Sequence, residues 1–240
     1  STHGLTPYIV QAIETGELDY VNIHWYYVNN FSWPAVEAAA RHDMGVFIIS
    51  PNEKGGKLFE PTEIMKELCA PLTPMQFNDL YCLSRPEVHT LSLGAARPSD
   101  FDEHMAGLAH YEDRERITSE IAVRLKGEMV RRLGEDWVEH WHEGLPPWNE
   151  LPGEVNAHEI VRLWNFAKGL DMVGFGQLRY NLLGNADHWF PGNGAGKATQ
   201  LEWGAALEGY RFAERLPGIL AEAHDLLFTE PKKRLSESED

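Results

Sequence analysis

The run Gly45-Val46-Phe47-Ile48-Ile49-Ser50, closed by Pro51, constrains this chain more than any other feature. A short uncharged stretch rich in β-branched residues reads as a strand, and Pro51 cannot continue a central strand. Ahead of it the Ala-rich stretch from Trp33 to His42 has the pattern of a helix. Earlier still, from Tyr20 to Tyr26, Val21, Ile23 and Trp25 alternate with Asn22, His24 and Tyr26, which puts apolar and polar groups on opposite faces of a strand. Strand, helix, strand at this spacing gives two parallel neighbours in one sheet.

The pattern continues on both sides. A helix from Pro7 to Thr15 is expected, with Thr6 as its cap and Pro7 in its first turn. Past a loop containing Gly55-Gly56, helices are expected over Pro61–Cys69 and Pro74–Leu83, then a strand Val88–Leu93 and a helix Ser99–Ala109. Such βα units build a parallel sheet that is either doubly wound or closed into a barrel. Thr90, Ser92 and Gly94 share one face near the end of the last strand, and polar groups at strand C-termini fit a barrel mouth. The expected fold class is therefore α/β. Because the chain opens in mid-course on Ser1-Thr2-His3-Gly4, the expected architecture is the C-terminal half of a (β/α)8 TIM barrel, followed by an all-α extension.

The pattern changes near Tyr111. Ile117, Ile121, Leu125, Met129, Leu133, Trp137 and Trp141 recur every four residues, which predicts one long amphipathic helix ending before Gly144. Further helices are expected over Ala157–Ala167, Leu201–Arg211 and Ile219–Phe228, and the charged tail should be disordered. The expected division is a half barrel over 1–109, a helical extension over 110–230 and a tail over 231–240.

Charge excludes several partners. With 37 acidic against 21 basic residues the chain carries a net −16, so neither a nucleic acid nor an anionic membrane surface is expected to bind it. No apolar run reaches the roughly 18 residues of a membrane span. The only cysteines, Cys69 and Cys82, are too few for a disulfide framework, and the expected location is the cytoplasm.

Four motifs bear on chemistry. Gly94-Ala95-Ala96-Arg97-Pro98-Ser99 joins a strand end to a helix start, where backbone N–H groups and the helix dipole favour an anion, and Arg97 adds a guanidinium fork. An ordinary βα turn with a surface Arg is the plainer alternative. Ser50-Pro51-Asn52-Glu53-Lys54-Gly55-Gly56 also follows a strand, and its glycines suit either a close ligand or a tight turn. Glu139-His140-Trp141-His142-Glu143 lacks the i, i+4 spacing of a helical metal pair, so no metal ligands are assigned. Gly192-Asn193-Gly194-Ala195-Gly196-Lys197-Ala198-Thr199 fails as a phosphate loop on spacing and on the missing hydroxyl at Ala198, and reads as a flexible loop.

Taken in order, Ser1-Thr2-His3-Gly4, Asp19-Tyr20-Val21-Asn22-Ile23-His24, Ser50-Pro51 with Gly55-Gly56-Lys57-Leu58, and Gly94 through His104 resemble the second half of an aldo/keto reductase barrel. The resemblance covers about residues 1 to 109. It implies an NAD(P)H-dependent oxidoreductase that reduces a small carbonyl compound by hydride transfer. Carried over residue by residue, it assigns the nicotinamide end to Ser1, Thr2, His3 and Asn22. The pyrophosphate falls to Ser50, Pro51 and Asn52, and the adenosine end to Gly94, Ala95, Arg97, Glu103 and His104. Asp100 stands where many relatives carry Arg or Gln, and His104 where they usually carry Asn. NADP or NAD is the implied cofactor. The family's catalytic Asp, Tyr, Lys and His lie on earlier strands, so no catalytic residue is assigned here. The missing N-terminal half is the implied partner, without which the chain alone is expected to be inactive.

The later segments Gly144–Asn165 and Arg179–Gly192 resemble the ferredoxin-like extension of a subgroup of that family, with its cysteines gone. Clusters need thiolates, so no iron–sulfur cluster is expected. Two other readings remain open. One is a catalytically inert relative that binds a nucleotide or a protein, as potassium-channel β subunits resemble this fold. The other is an interaction module built from Tyr111 to Phe228.

Overall fold

A computed structural model describes residues 4–185 and 190–230. Three parallel strands, β1 (Tyr20–Ile23), β2 (Gly45–Ile49) and β3 (Thr90–Ser92), form one sheet in the order β1-β2-β3. Val21 lies opposite Val46 and Ile48 opposite Leu91. The α/β class read from the sequence holds, with helix predominating over strand. The expected disordered tail at 231–240 lies outside the described residues.

The strands are shorter than their patterns. The expected strand Tyr20–Tyr26 stops at Ile23, because Tyr26 turns back to exchange backbone hydrogen bonds with Asn29 at 2.8 and 3.0 Å. The expected strand Val88–Leu93 is ladder-paired only over Thr90–Ser92. Helix α1 (Thr6–Ile13) precedes the sheet with Leu5, not Thr6, at its cap position. Helix α2 (Trp33–Arg41) crosses from β1 to β2 and buries Ala35, Val36, Ala38 and Ala39. Between β2 and β3 lie α3 (Glu63–Cys69) and α4 (Pro74–Leu83). Helix α4 begins with a complete capping box: Thr73 accepts from the Gln76 N–H, and the Gln76 side chain accepts from the Thr73 N–H. Helix α5 (Ser99–Gly107) follows β3 and runs into a 3-10 turn, Leu108–Asp113.

The expected single helix Ile117–Trp141 is two. Helix α6 (Arg114–Leu133) and helix α7 (Glu135–His140) meet at Gly134, whose φ of 90° and ψ of 141° no helix contains. A four-residue apolar repeat continues across that break, so periodicity alone conceals it. Helix α8 (Ala157–Leu170) is capped by Asn156, which accepts from the Glu159 N–H at 3.1 Å. It crosses α6 closely: a β-carbon on Gly169 would lie 2.9 Å from Met129. Helix α9 (Val173–Tyr180) was not expected, since Gly174 and Gly176 dilute its pattern. The expected helix Leu201–Arg211 reduces to a 3-10 turn at Ala205–Leu207, bounded by Gly204 and by Gly209 at φ 81°. Helix α10 (Leu216–Leu227) closes the described chain.

The Gly192–Thr199 segment, expected to be flexible, is instead packed. Ala195 and Ala198 are buried, Asn193 bridges to Val155, and the Ala195 N–H donates to the Tyr180 hydroxyl at 2.7 Å.

One continuous core runs through both parts of the chain, from Ile9 to Leu227. Side chains of the later helices also satisfy carbonyls of the earlier region. Arg124 donates to Leu68 and Ala70 at 2.9 and 2.5 Å, Arg114 to Leu83 at 2.8 Å, and Arg162 to Val28 at 2.7 Å. Among the described residues, no helix is long and apolar enough to cross a membrane.

Candidate functional site: the C-terminal ends of the strands

Parallel strands deliver their following loops to one edge of the sheet. After β2 the chain reverses at Ser50, which takes a left-handed φ of 52°. The next turn folds tightly on itself: Lys54 N–H donates to Ser50 at 3.1 Å, and Leu58 N–H donates to Asn52 at 2.9 Å. Only glycine fits at position 55, where a β-carbon would fall 1.9 Å from the Pro51 carbonyl oxygen and 2.8 Å from the Asn78 amide nitrogen. That amide donates to the same carbonyl at 3.0 Å and so braces the loop from α4.

A buried polar chain ties this loop to the one after β3. Asn52 donates from Nδ2 to the Gly94 carbonyl at 2.8 Å and meets His104 Nε2 at 2.7 Å, while His104 Nδ1 is hydrogen-bonded to the Asp79 carboxylate. Asn52, His104 and Asp79 are 4, 5 and 7% exposed, which makes this chain a structural bolt rather than an open site. With Nδ1–H donating to Asp79, Nε2 is free to accept from the Asn52 amide. Burial raises the Asp79 carboxyl, and the bond to His104 offsets only part of that. Burial disfavours charge on His104, but the Asp79 hydrogen bond and charge outweigh it and raise its pKa.

The turn from Gly94 to Ser99 has the expected shape and already holds an anion of its own. The Asp100 carboxylate accepts from the N–H groups of Ala96 and Arg97 at 2.8 and 3.0 Å, and from Arg97 Nε at 3.2 Å. The Arg97 and Ala96 amides, with the Arg97 side chain, hold the Asp100 carboxyl below its usual range despite its burial. The amides of this turn are thus taken by Asp100 and do not fit an added phosphate. The Arg97 side chain does fit one. It is 61% exposed, donates to the Phe59 carbonyl at 3.1 Å, and lines a cleft of about 550 Å³ together with Phe59, Lys66 and Glu103. Two cations and an aromatic ring share this cleft with two carboxylates, Glu60 and Glu103, and Lys66 is paired with Glu63 at 2.7 Å.

The residues assigned by sequence fall into four groups. Ser1, Thr2 and His3 lie outside the described residues. Asn22 is half-buried on β1, and Ser50 and Pro51 form the start of the loop after β2. Asn52 and His104 meet each other inside the protein, joined by the carbonyl of Gly94. Gly94, Ala95 and Arg97 are exposed at the turn, with Arg97 and Glu103 on the cleft. Sequence reasoning missed Asp79, Asn78 and Lys66. The first two left a signal: they are adjacent polar residues inside the otherwise apolar face of α4. At the surface His140 pairs with Glu143 at 3.1 Å, and among the described residues no group of three His, Cys, Asp or Glu side chains could hold a metal ion.

Comparison with family models, with curated proteins and with solved structures gave no match to this chain.

Proposed function

We propose that this chain carries the cofactor-holding strand ends of an aldo/keto-reductase-like oxidoreductase, which reduces a small carbonyl compound with NADPH or NADH. The observation that carries the reading is the gathering of Ser50–Asn52 and Gly94–Arg97 at the C-terminal edge of adjacent parallel strands, beside a cleft bearing Arg97 and Lys66. The cofactor, when bound, supplies the hydride. The chain's own part is to hold it. Arg97 and Lys66 would pair with its phosphate, Phe59 would pack against its base, the loop at Ser50 would lie along its pyrophosphate, and Asn22 would lie toward its nicotinamide end.

In this reading the three strands belong to a (β/α)8 barrel, and the proton donor comes from strands outside this sequence. Phe101 and Met105 are 52 and 64% exposed on the helix that follows β3, Leu108 is 47% exposed at the start of the 3-10 turn after it, and Tyr8 and Tyr20 are exposed near β1. Exposed apolar rows beside the unpaired edges of a sheet suit cover by further strands and helices. A reducing, cytoplasmic setting suits Cys69 and Cys82, both free and buried.

The test is a fluorescence titration of the 240-residue chain with NADPH and with NADH. Saturable binding of NADPH is expected, and Arg97→Ala should weaken it by about tenfold while leaving NADH less affected, since a guanidinium–phosphate bond acts on the 2′-phosphate alone. No saturable binding of either nucleotide would overturn the reading. Equal losses for both would remove Arg97 from the phosphate.

A further inference from the structure

The loop that follows β1 and three of the later helices enclose a cavity of about 320 Å³. Tyr27 and Phe31 come from the loop, Val138 from α7, Trp141 from the residue after it, and Asn165 and Phe166 from α8, while α6 contributes Met129. The volume falls at the small end of the range for ligand pockets, about 300–1,000 Å³. Much of the wall is aromatic. Tyr27 meets Phe166 edge to face with centroids 6.3 Å apart, and Phe31 meets Trp141 in the same way at 6.4 Å. Phe31 and His142 are the exposed aromatic members of the lining and mark its mouth.

One face of α8 supplies the polar groups, since Arg162, Asn165 and Phe166 stand at i, i+3 and i+4 and all line the cavity. The charge on that face is already matched. Arg162 donates to the Val28 carbonyl at 2.7 Å and is paired with Glu159. Among the described residues no carboxylate lines the cavity.

Asn165 is the residue that points to a ligand. An indole N–H can only donate, and Trp137 Nε1 donates to Asn165 Oδ1 at 2.7 Å. That bond fixes the amide, with its oxygen toward Trp137 and its NH2 group turned away. The NH2 group meets no acceptor among the described residues, although Asn165 is only 3% exposed. Buried amide donors are ordinarily paired. The group left over is thus a donor, on the wall of a cavity whose charge is satisfied.

We propose that this cavity binds a small, flat, uncharged aromatic molecule that carries a hydrogen-bond acceptor. Its ring packs among the Tyr27, Phe31, Trp141 and Phe166 rings, in the offset and edge-to-face arrangements that aromatic groups favour. Its acceptor takes the free N–H of Asn165. The cavity shares no lining residue with the cleft at Arg97, so the site does not depend on the nucleotide reading, and its test uses no nucleotide.

The experiment is calorimetry on the 240-residue chain with three bicyclic or monocyclic probes, at a pH that keeps quinoline uncharged. Quinoline offers a ring nitrogen that accepts, indole offers an N–H that donates, and benzoate is the charged arm. Quinoline should bind saturably and raise the melting temperature. Indole should bind roughly two- to tenfold more weakly, because the Asn165 amide stays unpaired beside it. This pair of ligands reads Asn165 without mutating it, which would also release Trp137. Phe31→Ala removes a ring at an exposed position and should weaken quinoline by roughly two- to tenfold. Val138→Trp, at a half-buried position on the wall, should fill the space and abolish binding. The proposal is overturned if quinoline shows no saturable binding at millimolar concentration, or if indole or benzoate binds as tightly as quinoline. It is equally overturned if folded Phe31→Ala and Val138→Trp both bind quinoline as the parent does.

Discussion

The strand-bearing region and the helical region hold themselves together by different means. At the strand ends, Asn52, Asn78, Asp79, Asp100 and His104 are all buried and joined by hydrogen bonds to one another or to loop backbone. In the helical region the core is mainly aromatic and aliphatic, and its buried polar groups, Thr118, Asn156, Arg162, Asn165 and Arg179, are spread along the helices rather than gathered at one set of loops. Trp137, 1% exposed, packs at centroid distances of 4.9 Å from Phe212 and 6.1 Å from Trp164, and Arg215 lies over its ring at 4.4 Å. The contrast follows from element length. Strands of three to five residues have too few ladder bonds to fix the loops they lead into, so side-chain amides and carboxylates must do so. Helices of twelve to twenty residues, such as α6, α8 and α10, satisfy their own backbones and leave packing to decide the rest.

The largest expected effect lies in the helical region. Trp137→Ala removes a buried ring and orphans Asn165, whose Oδ1 accepts from Trp137 Nε1 at 2.7 Å. A loss of about 3–5 kcal/mol is expected from urea unfolding. Because a single core spans both regions, unfolding should stay one transition. Two separated transitions, with residues 20–50 unaffected, would break the idea of a shared core.

His104→Ala should cost less, about 1–3 kcal/mol for leaving Asp79 and Asn52 buried without their partner. Its signature is local. Hydrogen exchange should quicken over residues 50–58 and 94–100 while α8 keeps its protection. Uniform loss of protection would show that the polar chain is not a bolt for these two loops but part of the general core.

The smallest effect concerns Asp100 and acid. Its folded pKa is depressed, so its contribution to stability is present above the unfolded value, near 3.9, and is lost as pH falls through the folded one. Asp100→Asn should therefore flatten the acid limb of the stability curve. An unchanged slope between about pH 5 and 2 would mean that the turn amides do not favour the ionised carboxylate.

Much of this was legible in the sequence, for physical reasons that also mark where reading failed. Helix α4 matches its expected span Pro74–Leu83 residue for residue, and its start is local in sequence, at Thr73, Pro74 and Gln76. The break at Gly134 was hidden by a repeat that continues beyond it, and α9 by its two glycines. At the site, the turn at Gly94 announced a seat for an anion, but nothing in the spacing said that Asp100 would fill it. The Asp79–His104 pair is separated by 25 residues, and the cleft at Arg97 gathers groups from Leu58 to Glu103. Contacts between distant segments leave no periodic trace, so only the assembled fold discloses them.

The bond from Arg162 to the Val28 carbonyl spans 134 residues, and this separation sets a schedule for biosynthesis. At translation rates of ~5–20 residues per second, Val28 is joined to the chain roughly 7 to 27 seconds before Arg162 is. Through that interval the segment after β1 must be held by other contacts or stay unformed. The emerging chain therefore exposes this stretch to chaperones well before the helix that secures it has been translated.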